Sequence, residues 1–173
     1  NPFTKVFAYD ISDLNVEITD STGHLTSLLN AGLSPPVITS TSPRPAATAG
    51  VSYNDTLRAQ GGVPALSWSI IAGALPSGMN LSAAGIITGT SNVSGTANFT
   101  ARVVDNTLAA DTAAFSLTVN PGAPTQLAFV QQPTDAVAGV FIAPAPTVQL
   151  RDNFGNTVPT AGVAITMSLT TGN

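Results

Sequence analysis

The chain has no cysteine, one histidine and one tryptophan in 173 residues, and only 8% of it is charged. Each shortage removes a class of chemistry. Without cysteine there are no disulfides and no thiolate metal sites, so stapled extracellular modules and zinc fingers are excluded. With His24 as the sole imidazole, neither a multi-histidine metal site nor a Cys–His pair can be assembled within the chain, and a Ser-His-Asp triad would rest on a residue beside a Thr-Gly turn. His24 therefore reads as an exposed turn residue. Five scattered basic residues and a net charge of −4 leave no basic patch, which argues against nucleic acid and against docking to an acidic membrane. No segment approaches the ~18 consecutive apolar residues of a membrane helix. No signal-peptide pattern is visible, and the chain opens on Asn1-Pro2-Phe3, so an exported parent is expected to carry its signal upstream.

In place of charge there are 15 Ser and 23 Thr, with 15 Gly and 13 Pro. Soluble domains usually carry about 25% charged residues, so here hydroxyls take the outward positions and turn-formers are frequent. The composition predicts an all-β protein.

Three regions separate along the chain. Residues 1–34 hold four of the nine acids, one of the five bases and the only His. Phe7, Tyr9 and Ile11 alternate, then Leu14, Val16 and Ile18; Ser21-Thr22-Gly23 reads as a turn before Leu25 and Leu28. Ser34-Pro35-Pro36 breaks the pattern as a linker. Within 36–120, the segment Val51–Arg58 presents Tyr53 and Leu57 to one side, and Leu66, Trp68 and Ile70 share a face opposite Ser67 and Ser69. Ala97, Phe99, Ala101 and Val103 alternate with polar neighbours, as do Phe115, Leu117 and Val119. Several half-buried strands in series predict a two-sheet sandwich. Asp55 breaks parity, lying on the side of Tyr53 and Leu57, which calls for a bulge or a strand edge open to water. Glycines at 61, 62, 78, 85, 89 and 95 mark turns.

After the short stiff linker Asn120-Pro121-Gly122-Ala123-Pro124, Leu127 and Phe129 alternate, then Val148 and Leu150, then Val163, Ile165, Met167 and Leu169. Asp152-Asn153-Phe154-Gly155-Asn156 supplies a tight turn. This third region, 125–173, is about half as long as the second and reads as a truncated sandwich. The expected division is therefore 1–34, an incomplete β segment of an upstream domain; 35–121, a complete Ig-like sandwich; and 125–173, a truncated one. By itself the third region is expected to expose its apolar positions and not to fold.

In Ala49-Gly50-Val51-Ser52-Tyr53, Leu66-Ser67-Trp68-Ser69-Ile70, Gly73-Ala74-Leu75-Pro76-Ser77-Gly78-Met79, Gly85-Ile86-Ile87-Thr88-Gly89-Thr90 and Val103-Val104-Asp105, the second region resembles the putative-Ig, cadherin-like (dystroglycan-type) repeat of bacterial surface proteins. Met79 stands where Leu is usual and Ser91 where Pro commonly follows Gly-Thr. The third region resembles the N-terminal part of an invasin-type bacterial Ig-like repeat, in Leu127-Ala128-Phe129-Val130, Pro146-Thr147-Val148-Gln149-Leu150 and the Asp-x-x-Gly-Asn turn. With Lys5-Val6-Phe7-Ala8-Tyr9-Asp10 and Ile18-Thr19-Asp20-Ser21-Thr22-Gly23-His24-Leu25-Thr26, residues 1–34 resemble one blade edge of a lactonase-type β-propeller, with a piece of another Ig-like repeat as the alternative.

Candidate sites weigh little against structural roles. Trp68 could stack on a sugar, but its parity with Leu66 and Ile70 says core; Tyr53 reads as core with its hydroxyl at the rim, and Tyr9 is unplaced. Asp105-Asn106 with Asp111, and Asp152 with Asn156, flank turns whose carboxylates could ligate calcium. A calcium ion takes six to eight oxygens, few acids converge here, and Asx-turn chemistry is favoured. Calcium is the one cofactor entertained, and none is required; no catalytic, cofactor or metal residue is assigned. A narrow sandwich offers no cleft for paired carboxylates. The sequons at Asn54, Asn80, Asn92 and Asn98 matter only in a eukaryotic secretory host.

The expected function is non-enzymatic: tandem Ig-like spacer or adhesion modules of a large, bacterial, extracellular or cell-surface protein. The expected partners are neighbouring domains of the parent chain, with a host or cell-surface protein or a glycan outside it. The alternatives are an accessory carbohydrate-binding or spacer module of a secreted enzyme, and a calcium-stiffened cadherin-like module.

Overall fold

The computed structural model describes residues 16–19, 25–29, 34–135, 137, 139–159 and 163–165, and these contain strands and turns with no helix among them. The expected strand at Phe7–Ile11, the turn at 21–23, Tyr9 and His24 lie outside the described residues. β1 (Val16–Thr19) and β2 (Leu25–Leu29) pair antiparallel, with an irregularity between Ile18 and Thr19.

The sandwich is built from β3 (Val37–Ile38), β4 (Ala47–Thr48), β5 (Tyr53–Thr56), β6 (Ala59–Gln60), β7 (Ser67–Gly73), β8 (Met79–Leu81), β9 (Ile86–Gly89), β10 (Gly95–Val104) and β11 (Ala110–Asn120). One sheet has the order β4-β11-β10-β7, the other β5-β9-β8, and β3 pairs with β6 beside them. The long hairpin β10–β11 sets the frame. Its antiparallel register places Phe99 opposite Phe115 and Ala97 opposite Leu117, while β4 joins the far edge in parallel through Val119 and Ala47.

Period-two alternation does what it predicts. Phe99, Ala101 and Val103 on β10, and Phe115, Leu117 and Val119 on β11, point inward with at most 3% of their surface exposed. Facing them across the interior are Tyr53 and Leu57 from the β5 segment, Met79 and Ile87. Burying such side chains contributes about 1.5–3 kcal/mol each relative to leaving them in water. Trp68 on β7 is buried against this core, as its parity requires, while Ser67 and Ser69 face outward. Gly85 shows why a side chain is forbidden in the turn before β9: its φ is +83°, and a Cβ would lie 2.8 Å from the Trp68 indole nitrogen.

Two differences from the sequence reading have local causes. The strand expected over Val51–Arg58 is shorter, because the Leu57 N–H donates to the Gly85 carbonyl and the Arg58 N–H to Ser40 Oγ, both outside the sheet ladder. Gly89 and Gly95 end and begin strands rather than forming turns. Asp55 needs no bulge: β5 is an edge strand of its sheet, and the carboxylate, which lines an open hollow, is met there by Arg44.

Beyond the sandwich, β12 (Gln126–Gln131) and β13 (Thr147–Arg151) pair antiparallel, with Leu127 opposite Leu150 and Phe129 opposite Val148. The chain then turns at 152–156 and comes back beside β13, where Thr157 bridges to Arg151 and the Val158 N–H donates to the Leu150 carbonyl. Leu127 and Phe129 stay about half exposed. The strand expected from Val163 to Leu169 is not formed at its described part, 163–165, where no neighbouring strand supplies a ladder among the described residues; Met167 and Leu169 lie outside them.

Candidate functional site

Three polar clusters stand out against the apolar core. In the first, the Arg44 guanidinium grips Asp55 with two bonds, Nε to Oδ2 at 2.7 Å and Nη2 to Oδ1 at 2.8 Å. Both side chains are mostly buried, at 11% and 14% exposure. The Tyr53 hydroxyl donates to the Pro45 carbonyl at 3.0 Å and reaches Asp55 at 3.3 Å. Burial first, and then the Asp55 carboxylate, push the Tyr53 hydroxyl up to about 12, with Arg44 opposing. The cluster lines a shallow polar hollow of about 420 Å³ together with Thr39–Thr41, Asn54, Thr56 and Arg58. Its Arg44 charge is already matched by Asp55, so the hollow's chemistry is that of a pinned loop: Arg44 also donates to the Thr41 carbonyl and ties residues 41–45 to β5.

The second and third clusters are aspartate turns built to one plan. Asp105 is buried, its N–H donates to the Ala109 carbonyl, and its own carbonyl accepts from Leu108. Its Oδ1 accepts the N–H groups of Thr107 and Ala109 and the Thr107 hydroxyl, and its Oδ2 accepts the Val63 N–H at 3.0 Å. Asp152, 1% exposed, repeats this. Its N–H donates to the Asn156 carbonyl, its carbonyl accepts from Gly155, Oδ1 accepts the N–H groups of Phe154 and Asn156, and Oδ2 accepts the Gly122 N–H at 2.9 Å.

Such convergence of N–H donors favours the ionised form. For Asp105 the Val63 N–H is the largest influence, and with the Thr107 and Ala109 donors it outweighs burial and lowers the carboxyl below its ordinary value. For Asp152 burial pushes upward, but the Asn156 side chain and the N–H groups of Gly122, Asn156 and Phe154 prevail and bring it to about 2.

These bonds bear on the calcium candidates. A cation at either carboxylate would have to displace N–H donors already aimed at both oxygens. Asp111, the third candidate, accepts the Ile38 N–H at 2.7 Å and its neighbour Thr112 N–H instead of joining Asp105. Among the described residues no three potential metal-ligating side chains cluster. The donor sets fit Asx-turn chemistry and do not fit a cation.

One functional feature was absent from the sequence reading. The Asn156 side chain, while bonded to Asp152, also reaches outside its turn, accepting the Ser94 N–H at 2.9 Å and donating to the Asn92 carbonyl at 2.9 Å. Phe154, in the same turn, lays its ring where a Cβ on Gly50 would stand. The Gly122 N–H, donated to Asp152, ties the linker to the same turn, while Ala49 N–H to the Asn120 carbonyl closes the sandwich side of it and Thr125 N–H to the Arg151 carbonyl the β12–β13 side.

The fold is all-β, an Ig-like β-sandwich. Residues 35–120 match the model of the "Putative Ig domain" family, which fits the Ig-like sandwich of that segment. No curated protein matches the chain. Among solved structures, extracellular cadherin domains 1–4 of protocadherin gamma B7 are similar at 13% identity over 68% of this chain and 32% of that one, with a TM-score of 0.47. Mouse cadherin-23 EC22-24 is similar at 19% identity over 69% and 46%, TM-score 0.42. A "putative alpha-galactosidase" from Bacteroides fragilis is similar at 20% identity over 54% and 19%, TM-score 0.45. The chain spans less than half the length of each of these structures.

Proposed function

We propose that this chain is a non-catalytic spacer segment of a large extracellular or cell-surface protein of bacterial type, in which Ig-like modules in series hold other domains apart. In this reading 35–121 is a complete module, 125–173 belongs to a following module of invasin type, and 1–34 belongs to an upstream domain of lactonase-propeller or Ig-like type. The observation that carries it is the linker. Asn120 ends a strand of the sandwich, Gln126 begins the next, and between them the Gly122 N–H is held by Asp152 while the Asn156 side chain bonds Ser94 and Asn92 across the junction. A linker held in this way transmits orientation, which a spacer needs and an independent binding domain does not. Low charge, hydroxyl-rich outer faces and the family match of 35–120 support the same reading.

Thermal melting with and without excess calcium, together with small-angle scattering of the whole chain, tests it. An elongated particle of fixed length whose midpoint calcium leaves unchanged is expected. A midpoint raised by calcium would favour the calcium-stiffened alternative, because a ligand that binds only the folded state must raise it. Scattering typical of freely jointed pieces would contradict the spacer reading.

A further inference from the structure

We propose that Gly50 and the Ser91–Ser94 loop form a docking surface for the Asp152–Asn156 turn of the module that follows, and that Asn156 is the residue that sets the orientation between the two. The proposal deepens the spacer reading and rests on it.

The receiving surface is prepared within the sandwich. Ser91 is fully buried, and its Oγ donates to the Val93 carbonyl and accepts the Val93 N–H. Its own carbonyl accepts the Gly50 N–H. The loop is thereby folded on itself, and the Asn92 carbonyl and Ser94 N–H are presented as an acceptor and a donor two residues apart. A neighbouring β-strand would answer such a pair with one N–H and one carbonyl, and the Asn156 carboxamide supplies the same two functions from a side chain. Its Nδ2 makes one further bond, to Asp152 Oδ2 at 2.8 Å, which holds the amide in place before it docks.

The chemistry is specific. Aspartate at 156 could accept from Ser94 but could not donate to Asn92, and it would set a second negative charge beside Asp152. Glutamine is one methylene too long for the same pair of bonds. Beside the amide, Phe154 occupies the space that Gly50 leaves open, at a φ of +76° that other residues rarely adopt. Both halves are organised by bonds internal to themselves, so docking orders little that is not already ordered.

The Asp105 turn is the internal control. It has the same frame of backbone and carboxylate bonds, with Ala109 in place of Asn156 and Thr107 in place of Phe154, and the Thr107 hydroxyl turns back to Asp105. The frame alone therefore does not dock; the carboxamide and the ring do.

Residual dipolar couplings and backbone relaxation measured on the whole chain test the proposal. In the wild type, 35–120 and 126–151 are expected to share one alignment tensor and one tumbling time. In Asn156→Ala they are expected to separate into two, with the melting of the sandwich unchanged. A wild type that tumbles as one body and an Asn156→Ala variant that does the same would overturn the clasp while leaving the spacer reading standing. A wild type already tumbling as two bodies would overturn both. Should Asn156→Ala not fold, Asn156→Gln takes its place: two bodies beside an intact sandwich support the clasp, and one body overturns it.

Discussion

The turns at Asp105 and Asp152 share four local hydrogen bonds and one long-range one and differ in what their outer residues do. In each, a buried carboxylate gathers N–H groups two and four residues ahead and reaches back with its second oxygen to a loop or linker, Val63 in one case and Gly122 in the other. In the first turn the remaining side chains are satisfied at home. In the second, Asn156 and Phe154 are spent on the neighbouring sandwich. The difference teaches that aspartate builds the turn, while the residues two and four places later stay within it in one case and reach Gly50, Asn92 and Ser94 in the other.

Replacing the aspartates separates these roles with the largest expected effects. Asp105→Ala strips the acceptor from three backbone donors of the sandwich and is expected to lower its melting midpoint clearly, whereas Asp152→Ala is expected to leave that midpoint in place and release the junction. Equal losses in both variants, followed by calorimetry, would erase the distinction. Asp55 supplies a contrasting buried carboxylate, balanced chiefly by a guanidinium; Asp55→Ala leaves Arg44 without its carboxylate, while Tyr53 keeps the Pro45 carbonyl, and is expected to cost about 2 kcal/mol in denaturant unfolding.

Titration sharpens the comparison further. A carboxyl whose folded value is depressed contributes stability that is present above its unfolded value and lost as pH falls through the folded one. For Asp152 that window runs from its ordinary 3.8 down to about 2, so the junction is expected to loosen across it. Tyr53 has the opposite sense: its raised hydroxyl stabilises the fold below its ordinary 10.0 and ceases to do so as pH rises through about 12. Alkali should therefore weaken the sandwich with tyrosinate absorbance rising in step, and Tyr53→Phe should remove that dependence. The smallest effect concerns backbone. Leu108 sits at φ 68° where the sister turn has Gly155 at 85°, and its side chain is 80% exposed. Leu108→Gly relieves left-handed strain at no packing cost and is expected to stabilise by about 1 kcal/mol.

Much of the sandwich was legible because alternation is a local property. Phe99 to Val103 and Phe115 to Val119 are core because their neighbours in sequence are polar, and Trp68 follows from Leu66 and Ile70 in the same way. The turn at Asp152 was legible too, from its Asx and glycine chemistry. What could not be read were partners chosen by the tertiary fold. Asp55 looked misplaced because Arg44 comes from a loop eleven residues earlier, on no shared strand. Ser91 was noted only as standing where Pro commonly follows Gly-Thr, yet it is fully buried and shapes the loop that Asn156 contacts. Asn156 itself was read as a residue of the tight turn and as a candidate oxygen for calcium; its contact lies 62 residues away, across a linker whose geometry no periodicity encodes.

The most direct measurement is hydrogen exchange at the Ser94 amide, the donor that Asn156 accepts. In the wild type this amide is expected to be protected, and in Asn156→Ala it should exchange quickly while Leu117 and Val119 within the sheet stay as slow as before. Slow exchange at Ser94 in both proteins would show that the sandwich protects its own loop, and the clasp between the modules would be contradicted.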